Sequence, residues 1–197
     1  MTIIGVDPSV TSTGVAVCCD SKVDLWQIEP GKLKPPLTGL GRLAFITERV
    51  TSALVAMDPR GVDVLLVIEG VVIFKGPGLV NVALHWMIRR RLADEYSFTT
   101  LVVPPATLKK FVTKNGSSGK SEVGQAIQRR WGGNLDGELQ EDVAEAFALM
   151  QVGRCWRDVG KYPQWQKDCL KKIVPEDDGA SLGMACNAVH DAGGRSR

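Results

Sequence analysis

Apolar residues recur at two different spacings along the chain. In Ile3 to Val17, IIGVDPSVTSTGVAV, they alternate, so that Ile4 and Val6 fall on one face of a predicted strand and Ile3, Gly5 and Asp7 on the other. Pro8-Ser9 interrupts the alternation and Thr13 to Val17 resumes it, which predicts a hairpin or near-hairpin whose first strand ends on a carboxylate. That position suits chemistry, and it equally suits an Asx-turn with the backbone that follows. Lys22 to Glu29 alternates again and predicts an antiparallel edge strand; Pro30 to Pro36 reads as a loop. Thr38 to Met57 switches to helical spacing through Leu43, Ile46, Val50, Leu54 and Met57. Val62 to Glu69, VDVLLVIE, is nearly continuous in apolar residues, as a buried parallel strand after a crossover helix would be. This strand also ends on an acid.

Gly70 to Gly78 predicts a loop, and Leu79 to Leu92 an apolar helix with Val80, Leu84, Met87 and Ile88, closing on Arg89-Arg90-Arg91. Packing on the sheet and a subunit interface explain that apolar helix equally well. Thr99 to Val103 is a short strand, and Pro104-Pro105 opens a helix through Leu108, Phe111 and Val112. A flexible loop, Asn115 to Gly119, precedes a helix from Lys120 to Trp131; after a loop from Gly132 to Gly137, the last long helix runs from Glu138 to about Trp156. A short helix is read over Trp165 to Ile173. The order predicts an α/β domain over residues 1–174, with a mixed five-stranded sheet, three antiparallel strands followed by parallel ones, flanked by helices. Residues 175–197, rich in Gly, Ala, Ser and Asp, are expected to be a flexible C-terminal tail.

Composition narrows the class. With 44% hydrophobic and 23% charged residues in 197, the chain matches an ordinary globular protein. No run approaches the roughly 18 apolar residues of a membrane span, so no membrane partner is expected. The chain enters its first strand directly after Met1-Thr2, which gives the expectation of a cytoplasmic protein. Five cysteines, Cys18, Cys19, Cys155, Cys169 and Cys186, form no CxxC pair, and the two histidines, His85 and His190, lie far apart. A zinc cluster or a Cys-His nucleophile therefore lacks a framework, and any metal would take oxygen ligands. Net charge is only +2, but Lys75 to Arg130 holds ten basic residues against three acidic ones. A polyanionic partner would meet this segment; solvated helix faces would carry the same residues.

The acids of the last helix are more pointed. Asp142 and Glu145, at i and i+3, share a helix face with Ala146 and Leu149, beside a stripe of Val143, Phe147 and Met150. Two ionised groups in such surroundings lose hydration and repel each other unless a cation, or an arginine such as Arg42 or Arg49, compensates. Asp7 and Glu69 end two strands expected to be neighbours, so four carboxylates converge at one end of the sheet, in outline a Mg²⁺ site. A pair of such ions about 4 Å apart can activate a water and stabilise the leaving oxygen of a phosphodiester.

Four stretches then carry a family likeness: GVDPSVTSTGVAV from Gly5, LLVIEG at Leu65 to Gly70, VVPPATLKKFVTKNGSSGKSEV at Val102 to Val123, and EDVAEAFAL at Glu141 to Leu149. In order and spacing they resemble the RuvC family of Holliday-junction resolvases, of the RNase H-like superfamily, and the small phage-encoded members in particular, over about residues 2 to 153. The resemblance implies an RNase H-like fold and a metal-dependent endonuclease that cuts four-way DNA junctions in pairs, in the cytoplasm of a bacterium or phage-infected host. It assigns Asp7, Glu69, Asp142 and Glu145 to two Mg²⁺ ions, with Mn²⁺ as the alternative, and Lys120 to the charge that builds up on the phosphate. It also implies that Phe74, with Lys75 beside it, contacts junction bases, that Lys109, Lys110, Lys114, Arg129 and Arg130 hold the DNA backbone, and that a homodimer forms through the helix of residues 79–92. The family usually carries Asp where this chain has Glu145, and an aromatic residue closer behind the second acid than Phe74. A looser branched-DNA nuclease acting on forks or flaps, or a catalytically silent junction-binding protein, stands as the alternative.

Overall fold

The structure, a computed structural model, describes residues 1–20, 22–33, 35, 37–57, 63–71, 78–94, 96, 98–132, 139–173 and 175–177. Alternating and β-branched stretches form β1 (Thr2–Asp7), β2 (Thr13–Cys19), β3 (Lys22–Ile28), β4 (Val64–Glu69) and β5 (Phe98–Val103), and a short β6 (Pro175–Asp177) joins them. The sheet runs in the order β3-β2-β1-β4-β5-β6. β1 pairs antiparallel with β2, and β2 with β3; β1, β4 and β5 are mutually parallel, and β6 returns antiparallel to β5. This is the mixed α/β architecture expected, with six strands among the described residues in place of five. The sixth lies in residues assigned to the tail. Its three residues carry no apolar alternation, and their place depends on β5 and on an ion pair from Arg89 to Glu176 at 2.6 Å.

Helices α1 (Gly39–Val55) and α2 (Gly78–Ala93) cover one face, where Ile4, Val6, Leu66 and Ile68 meet Leu43, Ile46, Val50, Leu84 and Ile88. The other face carries Ile3, Leu65, Val67 and Leu101 and is covered by α3 (Pro105–Thr113), α4 (Lys120–Trp131), α5 (Glu141–Arg157) and α6 (Gln164–Leu170). Alternation thus sends Gly5 and Asp7 of β1, and Glu69 of β4, to the face on which α5 lies.

Two glycines set how closely α5 approaches. A Cβ at Gly5 would collide with the backbone of Ala146 and Met150, and one at Gly14 with the backbone of Asp142 and Val143. From the helix side, a Cβ at Gly153 would press on Ile3 and Val67. Backbone therefore seats on backbone, which explains why α5 is buried through most of its length. No helix of the described residues is long and apolar enough to cross a membrane.

Candidate metal centre

Asp7 ends β1 and Glu69 ends β4, and the parallel register pairing Val6 with Ile68 brings the two carboxylates side by side. Glu145 comes down onto them from α5. One oxygen from each of Asp7, Glu69 and Glu145 lies within 4.8 Å of the others. Asp142, one turn earlier, stands outside this trio but close enough for its charge to act on Asp7. Its backbone is the part of α5 that rests on Gly14, the residue paired with Asp7 across the hairpin.

The alternatives open from sequence resolve against the structure. The turn after β1 is closed by Thr13, whose Oγ1 donates to the Ser9 carbonyl at 2.7 Å and accepts from the Ser9 N–H at 3.1 Å. Asp7 is therefore not needed for the turn. Arg42 and Arg49 belong to α1, across the sheet from α5, and Arg42 Nε donates to the Leu37 carbonyl. Neither neutralises Asp142 or Glu145.

Charge in the trio is poorly balanced. Asp7 is only 7% exposed, and its carboxyl stands well above the usual carboxylate range. Loss of water is the main cause; repulsion by Glu69 and Glu145, a hydrogen bond to Glu145 and the Asp142 charge follow. Glu69 is pushed up to about 7 by burial and then Glu145, against a hydrogen bond from Asp7 and the charges of Lys109 and Lys120. Lys120 opens α4 and places its Nζ 3.4 Å from a Glu141 carboxylate oxygen, at an exposed position. Partial burial works against its charge, but Glu145, Glu141 and Asp142 outweigh that and raise its pKa. Buried like charges with only partial lysine compensation have the chemistry of a hard divalent-cation site, and the donor set, all carboxylate oxygen, fits Mg²⁺ or Mn²⁺.

The loop before Lys120 is braced by hydrogen bonds, not the flexible link its composition suggests. Thr113 Oγ1 donates to the Lys109 carbonyl at 2.8 Å and lies 3.0 Å from the buried Ser118 hydroxyl. Asn115 Oδ1 accepts from the Ser117 N–H and hydroxyl, and Glu122 accepts from the Gly119 N–H at 3.1 Å. These contacts fix the point from which Lys120 starts. Across the site, Gln27 of β3 donates to Ser12 Oγ at 3.1 Å and to Gln140 Oε1 at 2.8 Å, tying the hairpin to the start of α5. Sequence reasoning passed over Gln27, because only the β2–β3 register brings it to the helix.

The basic segment divides. Lys109 and Lys120 face the acids, whereas Lys110 acts on Asp168 and Cys169 of α6. Lys114 and Arg130 lie over the ring of Trp165, at 5.7 Å and 4.5 Å from its centre, and Arg129 is the neighbour of Arg130. Trp165 is a residue that no local pattern singled out. Phe74 and Lys75 lie outside the described residues.

Among solved structures the chain is similar to Thermus thermophilus RuvC in complex with a Holliday-junction substrate, with TM-score 0.60, 18% identity, and coverage of 81% of this chain and 96% of that one. A second structure of Thermus thermophilus RuvC gives TM-score 0.56 at 19% identity, over 80% of this chain and 96% of the other. The shared feature is the RNase H-like fold. No protein-family model and no curated protein matches the chain.

Proposed function

We propose that the protein is a metal-dependent endonuclease that resolves four-way DNA junctions by paired phosphodiester hydrolysis. The observation that carries this reading is the convergence of Asp7, Glu69 and Glu145 within 4.8 Å, with Asp142 behind them, at the strand ends of a fold shared with a junction-bound RuvC. Asp7, Glu69, Glu145 and Asp142 would hold two Mg²⁺ or Mn²⁺ ions. Bound there, such ions supply Lewis acidity toward a phosphodiester and a nucleophile at neutral pH. Glu145 fits this role with an arm one methylene longer than aspartate's: it, not Asp142, belongs to the close trio.

Lys120 stands at the rim as a cation for charge that builds up on the phosphate in the transition state. Lys109 faces the same acids from α3 and holds the substrate backbone beside them. Lys110, Lys114, Arg129 and Arg130 supply further phosphate contacts, which position DNA without reading its sequence. Paired cuts need two sites, and a twofold dimer supplies them. The exposed stripe of α2, with Leu79 at 67% and Trp86 at 56% exposure and Arg90 beyond them, supports α2 as its interface.

The test compares cleavage of a four-way junction, a fork and a linear duplex at one salt concentration in Mg²⁺. Junctions cut in symmetric pairs at least about tenfold faster than the other two is the expected result. Equal rates on all three would replace junction resolution with a general branched-DNA or duplex nuclease, and no cutting in any metal would leave a silent binding protein.

A further inference from the structure

Trp165 sits where three elements meet. Its ring rests against Phe111 of α3, with centres 6.4 Å apart and planes 51° from parallel. The next residue, Gln166, is buried and donates to the Phe111 carbonyl at 2.9 Å, so α6 is locked onto α3. Over the indole lie Arg130 from the last turn of α4, at 4.5 Å, and Lys114 from the cap of α3, at 5.7 Å. Lys114 is itself fixed: its backbone is left-handed, φ 74°, and its N–H donates to the Lys110 carbonyl at 2.8 Å.

Among the described residues these cations have no anionic partner: no carboxylate makes an ion pair with Lys114, Arg129 or Arg130. Glu122, on the same cavity of about 410 Å³ as Thr113, Asn115, Gln125, Arg129 and Arg130, is spent on the Gly119 N–H. Asp168 is held by Lys171 at 2.7 Å and Gln164 at 3.1 Å. A guanidinium stacked on an aromatic face keeps its in-plane N–H fork for hydrogen bonds, the arrangement that matches a phosphate. With Lys114 and Arg130 at 5.7 Å and 4.5 Å from its centre, the indole serves to hold these cations.

We propose that Trp165 is the support that gathers Arg130, Arg129 and Lys114, already read as phosphate contacts, into one grip on the backbone of a duplex arm away from the bond being cut. The class of partner rests on the reading above. Lys120 begins α4 and Arg130 lies in its last turn ten residues later, which at 1.5 Å per residue is roughly 15 Å, or about four base-pair steps at 3.4 Å each. One rigid helix therefore joins the reacting end of the protein to its backbone grip.

Binding of a four-way junction and of a linear duplex is measured against salt by fluorescence anisotropy, with the whole chain carrying Asp7→Asn so that no strand is cut. Relative to that protein, Arg129→Ala with Arg130→Ala is expected to flatten the plot of log affinity against log salt by about two, on both DNAs, and to weaken binding about 10- to 100-fold near 0.1 M salt. Lys114→Gln, at an exposed position, flattens it by about one. Trp165→Leu keeps every charge yet weakens binding about three- to tenfold, while Arg129→Lys with Arg130→Lys retains most of the slope. An unchanged slope in the double alanine variant and in Lys114→Gln overturns the proposal, and wild-type affinity in Trp165→Leu overturns the role of the indole. A wild-type chain that binds DNA without cleaving it contradicts the nuclease reading and leaves this one intact; failure to bind any DNA contradicts both.

Discussion

Among the described residues, two groups of buried charge lie at or against this sheet, and they are solved in opposite ways. Arg89, 3% exposed on α2, meets Glu176 of β6 at 2.6 Å and lies 4.5 Å from the centre of the Trp86 ring. Its charge is answered within the chain, and the answer pins the sheet's last strand. Asp7, Glu69 and Glu145 are three like charges whose nearest cations, Lys109 and Lys120, leave Asp7 well above its ordinary pKa and Glu69 at about 7. Burial with a partner is architecture. Burial with repulsion costs stability, and it makes sense where something from outside supplies the missing positive charge.

Substitution at each group separates the two, and the largest effect is expected at the acids. Asp7→Asn should reduce junction cleavage by at least about 10³-fold, roughly 4 kcal/mol of transition-state stabilisation, while junction binding persists. Cleavage near the wild-type rate would remove Asp7 from the site. The same variant should make the metal-free fold more stable at pH 8. A carboxyl whose pKa is raised on folding contributes stability below its unfolded value, near 3.8 for Asp7, and that contribution is lost as pH rises toward the folded value. Asn has no such loss, so in EDTA the two melting temperatures should converge toward pH 4.

Glu176→Gln should act with the opposite sign and smaller size. It leaves Arg89 buried with one fewer countercharge and should cost about 1–2 kcal/mol, a discounted figure because the Glu176 side chain is 47% exposed. Cleavage at 25 °C should be unaffected. A stabilised Glu176→Gln, or a destabilised Asp7→Asn in EDTA at pH 8, would erase the contrast between the two groups.

Local pattern carried much of this architecture. Alternation in β1 alone put Gly5 and Asp7 opposite Ile4 and Val6, and the continuous apolar run of β4 announced a parallel neighbour, so the meeting of Asp7 and Glu69 was legible. The i, i+3 spacing of Asp142 and Glu145 was legible too. How far each acid reaches was not, because it depends on the seating of α5 on Gly5 and Gly14, contacts made between residues more than a hundred positions apart. β6 escaped for a related reason: Pro-Glu-Asp has no strand signature and is ordered by Arg89 and β5. Trp165 gains its cations only when α3, α4 and α6 are assembled.

A calorimetric titration of Mn²⁺ into the DNA-free protein tests most directly whether Asp7, Glu69 and Glu145 form a cation site. Saturable binding is expected, with protons released as the ion displaces them from Glu69, more per ion at pH 6 than at pH 8, where Glu69, at about 7, is largely ionised. Asp7→Asn should weaken it at least about tenfold. No saturable binding, or equal binding by Asp7→Asn, would contradict the account.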